Sequence, residues 1–182
     1  MKLQEHCLTC IYDQTKRVCE LLNVDEQQAQ KIDCLAHAKI ATFDMNQTPP
    51  HNAAPLYEAM ADVLGVHDLY AQFKADSSEK AKAFLPLCEQ KIKVSSHKLF
   101  EATKTAVAGN VIDLAAVMLY DLEEELEKIY HTPFAIDDFA LLEQQLAHTQ
   151  TLVYLADNAG EEIFDKLYIQ TIKELFPKIN VY

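Results

Sequence analysis

The sequence predicts a chain of the α+β or α/β class: a mostly helical N-terminal bundle over 1–130, then the start of a parallel α/β core over 131–182. Three observations carry this. Only three glycines occur in 182 residues, too few for the many reversals of an all-β fold. Apolar residues recur at helical spacing from Gln4 to about Lys128. The end of the chain reads strand, helix, strand, which is the pattern of a parallel crossover unit.

Taken in order, Leu8, Ile11, Thr15, Val18 and Leu22 share one face of a first helix. A second helix opens at Asp25, an N-cap with Gln28 three residues on, and carries Ile32, Leu35, Ala36, Ile40 and Phe43. Asn46-Gln47-Thr48-Pro49-Pro50 has the chemistry of a loop. Pro55 to Leu64 reads as a short helix that Gly65 ends in a left-handed conformation. A turn over His67 to Lys74 precedes a long helix from Ser78 towards Ala108, with Pro86 in its first turns or at a kink. Gly109-Asn110 is expected to break it, and the chain re-enters a helix ending in the acidic run Asp121 to Glu127, a solvated face. Asp137-Asp138 can cap a short helix through Leu146. Thr151 to Leu155 is short, apolar and β-prone, a buried strand. A turn from Asp157 to Gly160 leads into a helix from Glu161 to Leu175, which Pro177 terminates before a second strand at Ile179 to Tyr182.

Composition narrows the function. Hydrophobic residues make up 49% and charged residues 24%, the mix of a folded domain. The net charge of −12 repels phosphate backbones, and the Lys and Arg residues are scattered rather than gathered, so nucleic acid and anionic membrane are poor partners. A divalent cation is a good one. No apolar run is long enough to span a bilayer, and the N-terminus lacks the apolar stretch of a signal peptide. The expected location is cytoplasmic, with the five cysteines as reduced thiols.

The chemistry concentrates at Asp157-Asn158-Ala159-Gly160-Glu161. Asp157 and Asn158 sit at the C-terminal end of a strand, where open α/β folds bind ligands, and offer a carboxylate and an amide oxygen to a hard cation. Ala159 and Gly160 let a ligand approach the backbone, and the helix beginning at Glu161 points a positive dipole end and free N–H groups at phosphate. An Asx cap at an ordinary turn explains the same residues equally well. A second constellation, Ala106 to Asp113, places Asn110 and Asp113 three apart among apolar residues. Taken alone, it reads as a cap between two helices.

Together these segments resemble a known family. Tyr154-Leu155-Ala156-Asp157-Asn158-Ala159-Gly160-Glu161-Glu162-Ile163-Phe164-Asp165-Lys166-Leu167 is similar to the signature of the damage-control phosphatases, also catalogued as domain of unknown function 89. Ala108-Gly109-Asn110-Val111-Ile112-Asp113 resembles that family's other central motif. Cys7-Leu8-Thr9-Cys10, Thr48-Pro49-Pro50 and Asp68-Leu69-Tyr70 with Lys74 resemble its small microbial, cysteine-containing branch, although Leu69 replaces the usual Pro. The resemblance implies a Rossmann-like core and removal of phosphate from phosphorylated small molecules, such as sugar phosphates, with Mn²⁺, Co²⁺, Ni²⁺ or Mg²⁺. It implies Asp157 and Asn158 as metal ligands, Asn110 and Asp113 beside metal and substrate, and Glu161 facing the phosphate.

Members of the family continue into a third metal-binding Asp and a Lys-Gly phosphate segment, neither of which occurs before Tyr182. A two-stranded parallel unit leaves its edges bare. The chain is therefore expected to be a fragment of such an enzyme. The alternative is a non-catalytic, truncated or split relative, a binding or assembly module that self-associates or takes a complementing C-terminal segment. Cys7 and Cys10, with His6, Cys19 and Cys34 nearby in sequence, make too loose a set for a tetrahedral zinc and read as partly buried helix thiols.

Overall fold

A computed structural model describes residues 2–115 and 122–182, apart from the side chains of residues 111–115, 122, 123, 125 and 126. The chain forms two compact units, Met1–Ala71 and Gln72–Tyr182. The helical stretch is shared between them, its later helices folding with the strand–helix–strand segment. No helix among the described residues is long and apolar enough to cross a membrane.

The first unit holds α1 (Glu5–Leu21), α2 (Glu26–Ile40) and α3 (Pro49–Leu64). Their apolar faces meet in a core of Ile11, Val18, Ile32, Ala36, Leu56 and Met60. The Asp25 side chain caps α2 as its sequence predicts, accepting from Gln28 N–H at 2.7 Å. Gly65 closes α3 at φ +68°, a left-handed conformation that costs a residue without Cβ little. The expected loop over 46–50 is shorter than predicted, because α3 already begins at Pro49. Pro49 and Pro50 occupy the first two helical positions, where a missing N–H goes unnoticed, and Thr48 accepts from His51 N–H at 3.4 Å. The half of the loop that remains is tied down by Asn52, which accepts from Asp44 N–H and donates to the Asp44 and Thr48 carbonyls.

In the second unit, α4 (Ala71–Val94) starts before Ser78 and passes through Pro86 without ending. The break falls at Ser95-Ser96-His97 rather than at Gly109-Asn110. Consequently α5 (Lys98–Ala115) runs straight through both residues. The acidic run falls partly outside the described residues; α6 spans Leu122–His131. Helix α7 (Phe139–Leu146) is opened by Asp137, whose carboxylate accepts from Phe139 N–H at 3.0 Å.

The parallel crossover is present. β1 (Thr151–Leu152) pairs with β2 (Asn180–Val181) through α8 (Glu161–Leu175), with Thr151 opposite Asn180 and Leu152 opposite Val181. One further rung follows, from Tyr154 N–H to Tyr182 O at 2.9 Å. The expectation of a strand buried on both sides is corrected: Val153 and Leu155 are 66% and 89% exposed. Successive side chains point to opposite faces, and α8 packs on only one of them, the face bearing Leu152 and Tyr154. Phe164, Leu167 and Ile172 of α8 fill the unit's core with Leu99 and Ala102 of α5 and Ala81, Cys88 and Ile92 of α4.

Candidate active site

Two glycines bring the site's elements together. A Cβ on Gly109 would stand 3.2 Å from Phe164 Cδ2 and 3.3 Å from Glu161 Cα. This glycine therefore serves the close approach of α5 to the start of α8, and it reads as a helix breaker only when the partner is unseen. Gly160 has φ +96°, and a Cβ there would meet Ser77 O at 3.2 Å. The turn into α8 is thus wedged against α4. Ser78 Oγ donates to Glu162 Oε1 at 2.8 Å beside it.

Between α5 and the β1–α8 turn lies a cleft of about 310 Å³. Thr103, Ala106, Val107 and Asn110 line it from α5, and Tyr154, Asp157, Glu161, Asp165 and Tyr168 are among the residues facing them. Asn110, Asp157 and Glu161 thus come together from segments some fifty residues apart. Asn158 joins them through Glu161, whose Oε1 accepts from Asn158 Nδ2 at 3.0 Å. Asp113 lies in α5 one turn beyond Asn110, but its side chain falls outside the described residues.

Asp157 and Asn158 are exposed, whereas Glu161 is 8% exposed. Neither the Asp157 carboxylate nor Asn158 Oδ1 has a hydrogen-bond or ion-pair partner given among the described residues. The Asn158 amide nitrogen is engaged by Glu161, which leaves its oxygen to serve as an acceptor or a metal ligand. Two adjacent hard oxygens suit a divalent cation in kind, although such ions take six or more ligands. Among the described residues no group of three or more His, Cys, Asp or Glu could hold a metal. The five cysteines are free thiols, from buried Cys88 to exposed Cys10 and Cys34.

The expected row of free N–H groups at the start of α8 is present only in part. Glu162 N–H donates to Asn158 O at 3.4 Å and Ile163 N–H to Gly160 O at 3.3 Å. Glu161 and Glu162 also set negative charge against the helix dipole. Among the described residues no Lys or Arg lines the cleft. Lys104, also on α5, directs its ammonium to the Ile129 and Thr132 carbonyls instead.

Two residues of the signature carry a role that the sequence does not assign them. Tyr154 Oη donates to Asp165 Oδ1 at 2.5 Å, linking the end of β1 to α8 inside the cleft. Asp165 follows Glu161 by four residues, so helical spacing alone places both on one face. Burial pushes the Asp165 carboxyl above the ordinary carboxylate range; the Tyr154 bond pulls it down, and the charges of Glu162 and Asp157 add to the rise. Burial, then the bond to Asp165, raises the Tyr154 hydroxyl well above its usual range. The Tyr154 and Tyr168 rings meet edge to face, 6.1 Å between centroids.

The whole chain resembles known proteins. The family model for the damage-control phosphatase ARMT1-like domain matches residues 3–182. A damage-control phosphatase of Pyrococcus horikoshii is 32% identical over 178 residues, covering 96% of this chain and 61% of the relative. One from Archaeoglobus fulgidus is 27% identical over 185 residues, covering 99% and 64%. The crystal structure of a domain-of-unknown-function-89 protein from Pyrococcus horikoshii matches with a TM-score of 0.86 at 31% identity, over 100% of this chain and 63% of that one. The chain spans roughly three-fifths of the length of each of these relatives.

Proposed function

The chain belongs to the damage-control phosphatase ARMT1-like family, and from that premise we propose that its cleft serves the hydrolysis of phosphate monoesters of small metabolites with a divalent cation. The observation that carries the reading is the pair of adjacent oxygen donors, Asp157 and Asn158, in the turn between β1 and α8 and beside buried Glu161. A strand-to-helix turn of this kind is where α/β folds place ligands.

Charge supports the metal. Asp157, Glu161 and Asp165 line the cleft with no Lys or Arg beside them among the described lining residues. A phosphate dianion entering alone would meet only repulsion from them. A cation held by Asp157 and Asn158, whether Mn²⁺, Co²⁺, Ni²⁺ or Mg²⁺, would offset most of that negative charge and polarise a phosphoryl oxygen. Glu161, fixed by the Asn158 amide, then has a carboxylate in place to orient and deprotonate an attacking water. Asn110, exposed on the α5 wall, offers an amide to a substrate oxygen, with Asp113 one turn further along the helix.

The test is phosphate release by the chelator-stripped chain from p-nitrophenyl phosphate and a sugar phosphate, with each of the four cations added back. Release should require the cation, and Asp157→Ala should lower it by roughly 100-fold or more, in line with loss of electrostatic stabilisation at the phosphoryl group. A folded chain inactive with every cation would sink the proposal, as would an Asp157→Ala variant with undiminished activity.

A further inference from the structure

We infer that the Tyr154–Asp165 hydrogen bond is a positioning device for the two oxygen donors: Tyr154 fixes where the 155–160 loop leaves the sheet and so sets Asp157 and Asn158 for a divalent cation. The inference rests on the metal reading above.

The loop is held at both ends. At its start, Tyr154 is bound twice: its N–H donates to Tyr182 O at 2.9 Å and its hydroxyl to Asp165 Oδ1 at 2.5 Å. These bonds tie it to β2 and to α8, and Asp157 follows three residues later. At its end, Gly160 is wedged against Ser77, and Asn158 is bonded to Glu161. Between the anchors the residues are unsupported by packing: Leu155, Ala156, Asp157 and Asn158 are all exposed. Among the described residues these anchors are the contacts that hold the stretch, and their geometry decides where its carboxylate and amide stand. The bond also joins two half-buried or buried side chains, a setting in which a lost partner is felt. Groups that orient metal ligands without touching the metal commonly change metal affinity by roughly 10- to 100-fold when removed.

The experiment measures Mn²⁺ binding to the full chain by electron paramagnetic resonance titration, with activity recorded separately. Tyr154→Phe keeps the ring and removes the bond; it should raise the Kd for Mn²⁺ by roughly 10-fold or more. Asp165→Asn keeps an oxygen acceptor for the hydroxyl and should raise Kd less than Tyr154→Phe does. Combining Tyr154→Phe with Asp165→Ala should add nothing beyond the larger single effect, as expected when both act through one bond. Tyr12→Phe removes a similar bond, to Asp33 at 2.5 Å, in the first unit, and should leave Kd unchanged. The inference is overturned if Tyr154→Phe leaves Kd unaltered, or if Asp165→Asn is the more damaging change, which would make the Asp165 charge the relevant quantity. Failure of the unaltered chain to bind Mn²⁺ would overturn the metal site, and this inference with it.

Discussion

Gly109 of α5 packs against Glu161 of α8 so closely that a Cβ on the glycine would lie 3.3 Å from Glu161 Cα. The contact is between backbones, and the nearby Phe164 ring is fully buried, so neither neighbour yields easily.

Gly109→Ala therefore sets two effects against each other. Alanine favours a helix interior by roughly 0.5–1 kcal/mol. Overpacking against a fixed backbone costs about 1–3 kcal/mol. The second should win, lowering the urea midpoint and widening the gap between α5 and the first turn of α8. A higher midpoint would show that α8 gives way freely and that the close approach is not required.

The contact between Gly160 and Ser77 predicts opposite signs for its two members. Ser77 is fully buried and its Oγ has no partner among the described residues. Ser77→Ala should be neutral or stabilising by up to roughly 1 kcal/mol, since no hydrogen bond is lost. Gly160→Ala forces a side chain to φ +96° and against the Ser77 carbonyl, and should cost about 1–3 kcal/mol. Denaturant curves for the two variants would decide it; a destabilised Ser77→Ala would reveal a partner for that hydroxyl.

Tyr57, on α3, predicts an alkaline limit for the first unit. Burial, followed by the charges of Tyr70 and Cys10, pushes its hydroxyl up to about 12. In the unfolded chain the same hydroxyl ionises near 10. Between these values the unfolded state has released a proton that the folded state keeps, so stability must fall as pH rises. Below pH 10 this loss is absent. Tyr57→Phe should flatten that part of the pH–stability curve, and an unchanged slope between pH 10 and 12 would refute the assignment.

Local signals in the sequence were sufficient wherever the cause was local. Asp25 with Gln28 and Gly65 after α3 both depend on neighbours along the chain. Gly109 does not. A glycine needed for a turn and one needed for a close approach look alike until the approaching helix is known, which is why α5 continues through an expected break. Pro49 and Pro50 carry a similar ambiguity, since they suit both a loop and a helix start. At the cleft, the Asp157 turn stood out by composition, and Asn110 is drawn to it by tertiary packing. Tyr154 and Asp165 lie eleven residues apart and meet only because a helix folds back over its strand.

Every residue lining the cleft falls between Thr103 and Tyr168, inside one of the two compact units, and the two apolar cores share no residue. Each unit thus has an apolar core of its own. A melting curve read through the tyrosines would mix both, because Tyr57 reports on one core and Tyr168 on the other. The contacts that assemble the cleft belong to the second unit, so a probe of the cleft reports on that core and not on the packing of α1–α3.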